Sequence, residues 1–96
     1  MTKQERQWFE AITALGCIVC RMNGRGYVPC QRHHLLRGGR RISHLASIGL
    51  CYWHHQSGRK DEEIVSRHPW KWAFEHRYGK EHDLLEKTRE LVMAMA

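Results

Sequence analysis

The 96-residue sequence contains no acidic residue between Ala11 and Lys60. The same stretch carries Arg21, Arg25, Arg32, Arg37, Arg40, Arg41, Arg59 and Lys60, whereas eight of the ten Asp and Glu residues follow Lys60. A middle this cationic, within a net charge of +6, points to a polyanion as partner, phosphates first. Long apolar runs are missing as well. No 18 consecutive residues are apolar, which excludes a membrane-spanning helix. The polar start Met1-Thr2-Lys3-Gln4-Glu5-Arg6 has no secretory apolar region. Four cysteines without such a signal read as metal ligands in a reducing cytoplasm rather than as disulfides. Length allows one domain over residues 1–96, with a small core that borrows stability from a metal.

What is present is a run of Cys/His elements. Cys17-Ile18-Val19-Cys20 comes first, Arg32-His33-His34-Leu35 second, and Leu50-Cys51-Tyr52-Trp53-His54-His55 third. Cys-x2-Cys followed by Cys-x2-His supplies a complete tetrahedral zinc set, Cys17, Cys20, Cys51 and His54. Cys30 is the rival fourth ligand or, on the favoured reading, a buried thiol. His33, His34 and His55 remain over, and surplus histidines are what a hydrolytic metal site uses. Neighbours on a strand face opposite sides, so His33 and His34 have different parts to play. Arg37, Arg40 and Arg41 around Gly38-Gly39 are the leading phosphate contacts, with Arg32, Arg59 and Lys60 beside them.

The elements follow from periodicity and punctuation. Trp8, Ile12 and Leu15 predict a helix over 3–15, with Thr2 and Glu5 as a capping box and Gly16 as the stop. Residues 17–26 read as a compact loop, 27–36 as an interrupted strand, 37–41 as a flexible basic loop and 46–50 as a second strand. A helix begins at Cys51. The tail, 61–95, reads as a short helix over Asp61–Arg67, a second from Pro69 at N1 to Tyr78, and a third over Glu81–Met95. Trp72, Phe74 and Tyr78 are taken to anchor the second, and Trp8, Trp70 and Trp72 to be core. His68 is assigned as a helix-flanking residue, its return to the site being the alternative. The expected fold class is α+β, a small zinc-stapled ββα core over about 17–58 with flanking helices.

Cys17-x2-Cys20, Val28-Pro29-Cys30-x2-His33-His34-Leu35, Ile48-Gly49-Leu50-Cys51-x2-His54-His55-Gln56-x-Gly58 and Trp72-x-Phe74-x3-Tyr78-Gly79-x-Glu81-x2-Leu84-Leu85 together resemble the phage recombination enhancement function (Ref) family of HNH, or ββα-metal, nucleases. The likeness covers about residues 10–86 and implies a metal-dependent DNA endonuclease of the bacterial nucleoid, with a RecA filament as partner. It implies that His33 and His55 bind the active-site ion (Mg2+, with Mn2+ the alternative) and that His34 is the general base. The family's long basic N-terminal arm has no counterpart in this sequence. Nor does the asparagine of the HNH motif, since Asn23 is the last asparagine, so His44, Ser43 and Ser47 are the residues placed to orient the base. The competing readings are a non-catalytic zinc module that binds nucleic acid or protein, and an enzyme directed at RNA.

Overall fold

The structure, a computed structural model, describes residues 1–95. Of the expected domain, Ala96 lies outside the described residues. The architecture is small α+β, with helices around two short antiparallel sheets.

Helix α1 (Lys3–Leu15) starts where Thr2 accepts the Glu5 N–H through its side chain and Glu5 returns the bond to the Thr2 N–H. It ends at Gly16, whose φ of 81° suits glycine. A Cβ there would sit 2.4 Å from Val28 O. The stretch read as a loop instead contains a short helix, α2 (Ile18–Met22), because Cys17 acts as its N-cap and its sulfur accepts the Cys20 N–H at 3.5 Å. Strand β1 (Gln31–His34) pairs with β4 (Ser47–Leu50) in the register His33↔Ile48 and His34↔Ser47.

Between them, the expected flexible basic loop is a two-residue hairpin of β2 (Leu36–Arg37) and β3 (Arg40–Arg41). Gly38 and Gly39 both take positive φ, 59° and 79°, which is the geometry a tight hairpin turn demands. Helix α3 (Tyr52–His55) follows β4 directly.

The expected helix over 61–67 does not form. The Asp61 carboxylate takes the N–H groups of Glu63 and Ile64, both at 2.9 Å, as a helix cap would, but the N–H groups that follow bond elsewhere: Val65 to the Tyr78 hydroxyl, Ser66 to Arg59 O and Arg67 to His54 O. Lys60 then bridges Val65 in antiparallel fashion. Helix α4 (Lys71–Tyr78) begins two residues later than read, with Trp70 rather than a residue before Pro69 at its N-cap. Helix α5 (Glu81–Met95) matches the expected bounds.

The core joins α1, α2, β4, α4 and α5 through Ile12, Ile18, Ile48, Leu50, Phe74 and Leu84. Trp8 joins its edge, its indole N–H donating to Ser47 O at 3.1 Å. Trp72 is not core. It is 88% exposed, because Phe74 and Tyr78, one turn apart, already form the inward stripe of α4. Trp70 is exposed too.

Gly49 is where β4 passes closest to its neighbours. A Cβ there would meet Cys30 Sγ at 2.6 Å and the backbone oxygen of Gly16 at 2.7 Å. The backbone oxygen cannot swing aside, so Gly49→Ala should cost about 1–3 kcal/mol. A thermal melt should show this as a loss of several degrees; an unchanged melt would mean that the α1–β4 contact yields freely.

Candidate metal centres

Two clusters of metal-ligating side chains are found among the described residues. They are Cys17, Cys20, Cys51 and His54, all buried, and His33, His55 and His68. Within each, ligand atoms lie within 4.8 Å of one another.

The first cluster is assembled by helix starts. Cys17 caps α2, Cys20 lies in its first turn, Cys51 caps α3 and His54 lies one turn on. His54 Nδ1 is 3.8, 3.7 and 3.1 Å from the sulfurs of Cys17, Cys20 and Cys51. Cys20 and Cys51 sulfurs are 3.9 Å apart. A disulfide needs about 2.05 Å, so the cysteines are free thiols. A tetrahedral ion holding thiolates at about 2.3 Å sets sulfurs about 3.8 Å apart, so the set fits zinc. The titration of these thiols is distorted by crowding. Cys17 is raised by its contact with Cys51 and by burial, and Cys20 by burial. Cys51 is pulled down to about 3 by the Cys17 thiol and, against burial, by His54. A bound cation would relieve that competition by favouring every thiolate. Cys30 stays outside the set; its thiol is half-buried and donates to Ile12 O at 3.5 Å.

The second cluster draws on three separate segments. His33 comes from β1 and His55 from the end of α3. His68 arrives because the chain after 61–67 runs along that helix end: Arg67 and His68 donate their backbone N–H groups to His54 O and His55 O at 2.8 and 2.9 Å. The alternative for His68, a return to the site, is therefore the one realised in space. His33 Nδ1 and His55 Nε2 face each other at 3.2 Å. The far nitrogens are engaged as well, His33 Nε2 with Glu81 Oε1 at 3.0 Å and His55 Nδ1 with Gln31 Oε1 at 2.7 Å. Glu81, the first residue of α5, is buried and also accepts from the Arg67 guanidinium.

Burial alone would raise the Glu81 carboxyl, but hydrogen bonds from His33 and Arg67 hold it down to about 2. His55 is lowered to about 4, first by burial and then by its neighbours His33 and His68. His68 is lowered by burial and by Arg67. Gln31, Arg67 and Glu81 were not read as site residues. They lie far from their partners in sequence, and only Glu81 stood within a recognisable motif, the tail.

His34 lines the same groove as His33, His55 and His68 but stands outside the three-histidine group. Its Nε2 lies 3.1 Å from His44 Nδ1, on the connection into β4. The His44 carbonyl is fixed by the Ser47 hydroxyl, which donates to it at 2.7 Å. Burial, then Arg41 and Arg32, lower His34 to about 4.

An open groove brings Arg32, His33, His34, Arg41, His55 and His68 to one rim. Arg32 stacks over Phe9, 3.8 Å from the ring centroid, with Nε and Nη2 buried and lacking partners. Arg37, Arg40 and Arg41 are exposed on the β2–β3 hairpin. The other two predicted phosphate contacts are partly committed: Arg59 pairs with Asp61 at 2.8 Å, and Lys60 sits over Trp70 at 4.9 Å.

These features define a small α+β protein with a zinc-type Cys3His cluster set beside a histidine cluster in a basic groove. A model of the recombination enhancement, RecA-dependent nuclease family matches residues 1–93, and the chain belongs to that family. The resemblance read from the Cys/His motifs and the tail thus holds at family level. No helix among the described residues is long and apolar enough to cross a membrane.

Proposed function

We propose that the chain is a metal-dependent DNA endonuclease of the HNH type, one nuclease domain that hydrolyses phosphodiester bonds in the service of recombination. The observation that carries this reading is the grouping of His33, His55 and His68 in a cationic groove that His34, bonded to His44, also lines. A structural zinc held by Cys17, Cys20, Cys51 and His54 would pin α2 to α3, and so fix where His55 stands relative to β1.

Two ring nitrogens facing each other at 3.2 Å fit a shared cation. Imidazole donors suit Mn2+ or another transition ion better than Mg2+, which prefers oxygen ligands. When bound by His33, His55 and His68, such an ion supplies positive charge to the phosphate and the leaving oxygen. His34 carries out the proton transfer. With its Nε2–H donated to His44 Nδ1, its Nδ1 lone pair accepts a proton from the attacking water. The water oxygen then forms its bond to phosphorus, the P–O3′ bond breaks, and solvent protonates the departing 3′-oxygen. His44 occupies the orienting role that the missing asparagine would have filled. Arg32 and Arg41 hold the phosphate diester from the groove rim, and Arg37 and Arg40 extend that contact along the backbone. Arg59 and Lys60 contribute less, since each already has a partner.

RecA dependence belongs to the same proposal, from the family's name. The test compares bare plasmid with the same plasmid paired to a RecA-coated oligonucleotide, in Mn2+ and in Mg2+. Cutting confined to, or strongly enhanced at, the RecA-paired site is the expected result. Equal cutting of both would remove RecA from the account, and no cutting of either would favour a zinc module that only binds.

A further inference from the structure

We propose that Glu81 and Gln31 are positioning residues that fix the tautomers of His33 and His55, so that both rings turn a lone pair toward one divalent cation. The inference rests on the reading of the His33–His55–His68 cluster as a metal centre.

A neutral imidazole carries one N–H, and its position decides which nitrogen can bind a metal. The far nitrogen of His33 faces Glu81 Oε1 at 3.0 Å, and the far nitrogen of His55 faces Gln31 Oε1 at 2.7 Å. A carboxylate and an amide oxygen only accept. Each draws its ring's N–H outward and leaves the lone pair on the inner nitrogen. Those inner nitrogens, His33 Nδ1 and His55 Nε2, are 3.2 Å apart. Two lone pairs at that distance repel in the absence of a cation, so the outer acceptors prepare the pair to receive one.

Glu81 is not itself a ligand on this geometry. It meets the edge of His33 opposite the one facing His55, and it is tied to Arg67. Arg67 and Glu81 are both nearly fully buried, at 7% and 6% exposure, so the guanidinium supplies the counter-charge that lets a carboxylate stand behind His33. Glu81 opens α5 and Gln31 opens β1. The C-terminal helix is thereby joined to the metal centre rather than serving as packing alone.

The test is Mn2+ binding, by calorimetry and by the Mn2+ electron paramagnetic resonance signal, to the zinc-loaded full chain. The variants are Gln31→Ala, Glu81→Ala/Arg67→Met, Glu81→Gln/Arg67→Met and His33→Ala. Gln31 is exposed, so its removal should leave folding alone. Gln31→Ala and Glu81→Ala/Arg67→Met should each weaken Mn2+ binding about 10- to 100-fold, with one zinc retained and the melt of Gln31→Ala unchanged. Glu81→Gln/Arg67→Met removes both buried charges but keeps an amide oxygen behind His33, and should recover much of the affinity. At saturating Mn2+, Gln31→Ala should also recover DNA cleavage. Full Mn2+ affinity in both Gln31→Ala and Glu81→Ala/Arg67→Met would overturn the proposal. Wild-type binding that His33→Ala leaves intact, or no wild-type binding, would instead overturn the reading of the cluster as a metal centre, and the proposal with it.

Discussion

Cys17→Ser is expected to leave the chain without its zinc and largely unfolded at room temperature. Cys17 is fully buried, stands within 3.8 Å of His54 Nδ1 and accepts the Cys20 N–H that starts α2. The substitution removes a thiolate ligand, whereas a serine can still cap α2, so the loss falls on the metal. Zinc binding in small domains is worth about 10–16 kcal/mol of apparent free energy, and that energy is folding energy. A folded domain is stable by only about 5–15 kcal/mol, so losing most of the metal's contribution exceeds what the rest of this small core supplies. Circular dichroism and metal analysis read the outcome: no cooperative melt and well under one zinc per chain. Cys30→Ser is the control. Cys30 reaches only Ile12 O, so that variant should keep both zinc and melt. A Cys17→Ser protein with one zinc and an unchanged melt would remove zinc from the account of stability.

His34→Ala is expected to lower DNA cleavage by about 100- to 10,000-fold while zinc content, Mn2+ binding and DNA affinity stay near wild type. The side chain is not one of the grouped ligands and bonds to His44, so its loss leaves the proposed ligands in place. The pH profile adds a second readout. A base works only when unprotonated, and burial together with Arg41 and Arg32 holds His34 near 4, well below the ordinary histidine value of 6.5. Its acid limb should therefore fall near pH 4, leaving the rate insensitive to His34 titration between about pH 6 and 8. Arg41→Ala removes one of the depressing charges and should move that limb upward. A rate that rises through pH 6.5 as an unperturbed histidine would dictate is the result that excludes His34, in this environment, as the base.

Much of this was legible in the sequence, for identifiable reasons. Local rules predicted α1, because Thr2, Glu5 and Gly16 act within one turn of its ends, and α5, whose Leu84 and Leu85 face inward. The Cys17, Cys20, Cys51 and His54 grouping was legible because two short-range spacings place ligand pairs at helix starts. The failures came where a side chain captured the backbone or where a contact crossed the fold. The helix expected over 61–67 is lost because the N–H groups of Val65, Ser66 and Arg67 bond to Tyr78, Arg59 and His54, outside the segment. Periodicity did not separate Trp72 from Phe74 and Tyr78, although only two of the three share the buried face. His68 joined the cluster through backbone bonds to the end of α3, and Glu81 met His33 across 48 residues of sequence. No spacing rule spans such distances, because tertiary packing alone sets them.

The central claim is that the histidine groove is a nuclease centre distinct from the zinc cluster. Its most direct test strips the zinc-loaded wild type of loosely held metal and follows cutting of RecA-paired plasmid as Mn2+ is returned, with His34→Ala in parallel. The account predicts cutting that appears with Mn2+ in the wild type and is lost in His34→Ala, while zinc remains at one equivalent in both. Equal cutting by the two proteins, or cutting that persists in the stripped wild type, would contradict it.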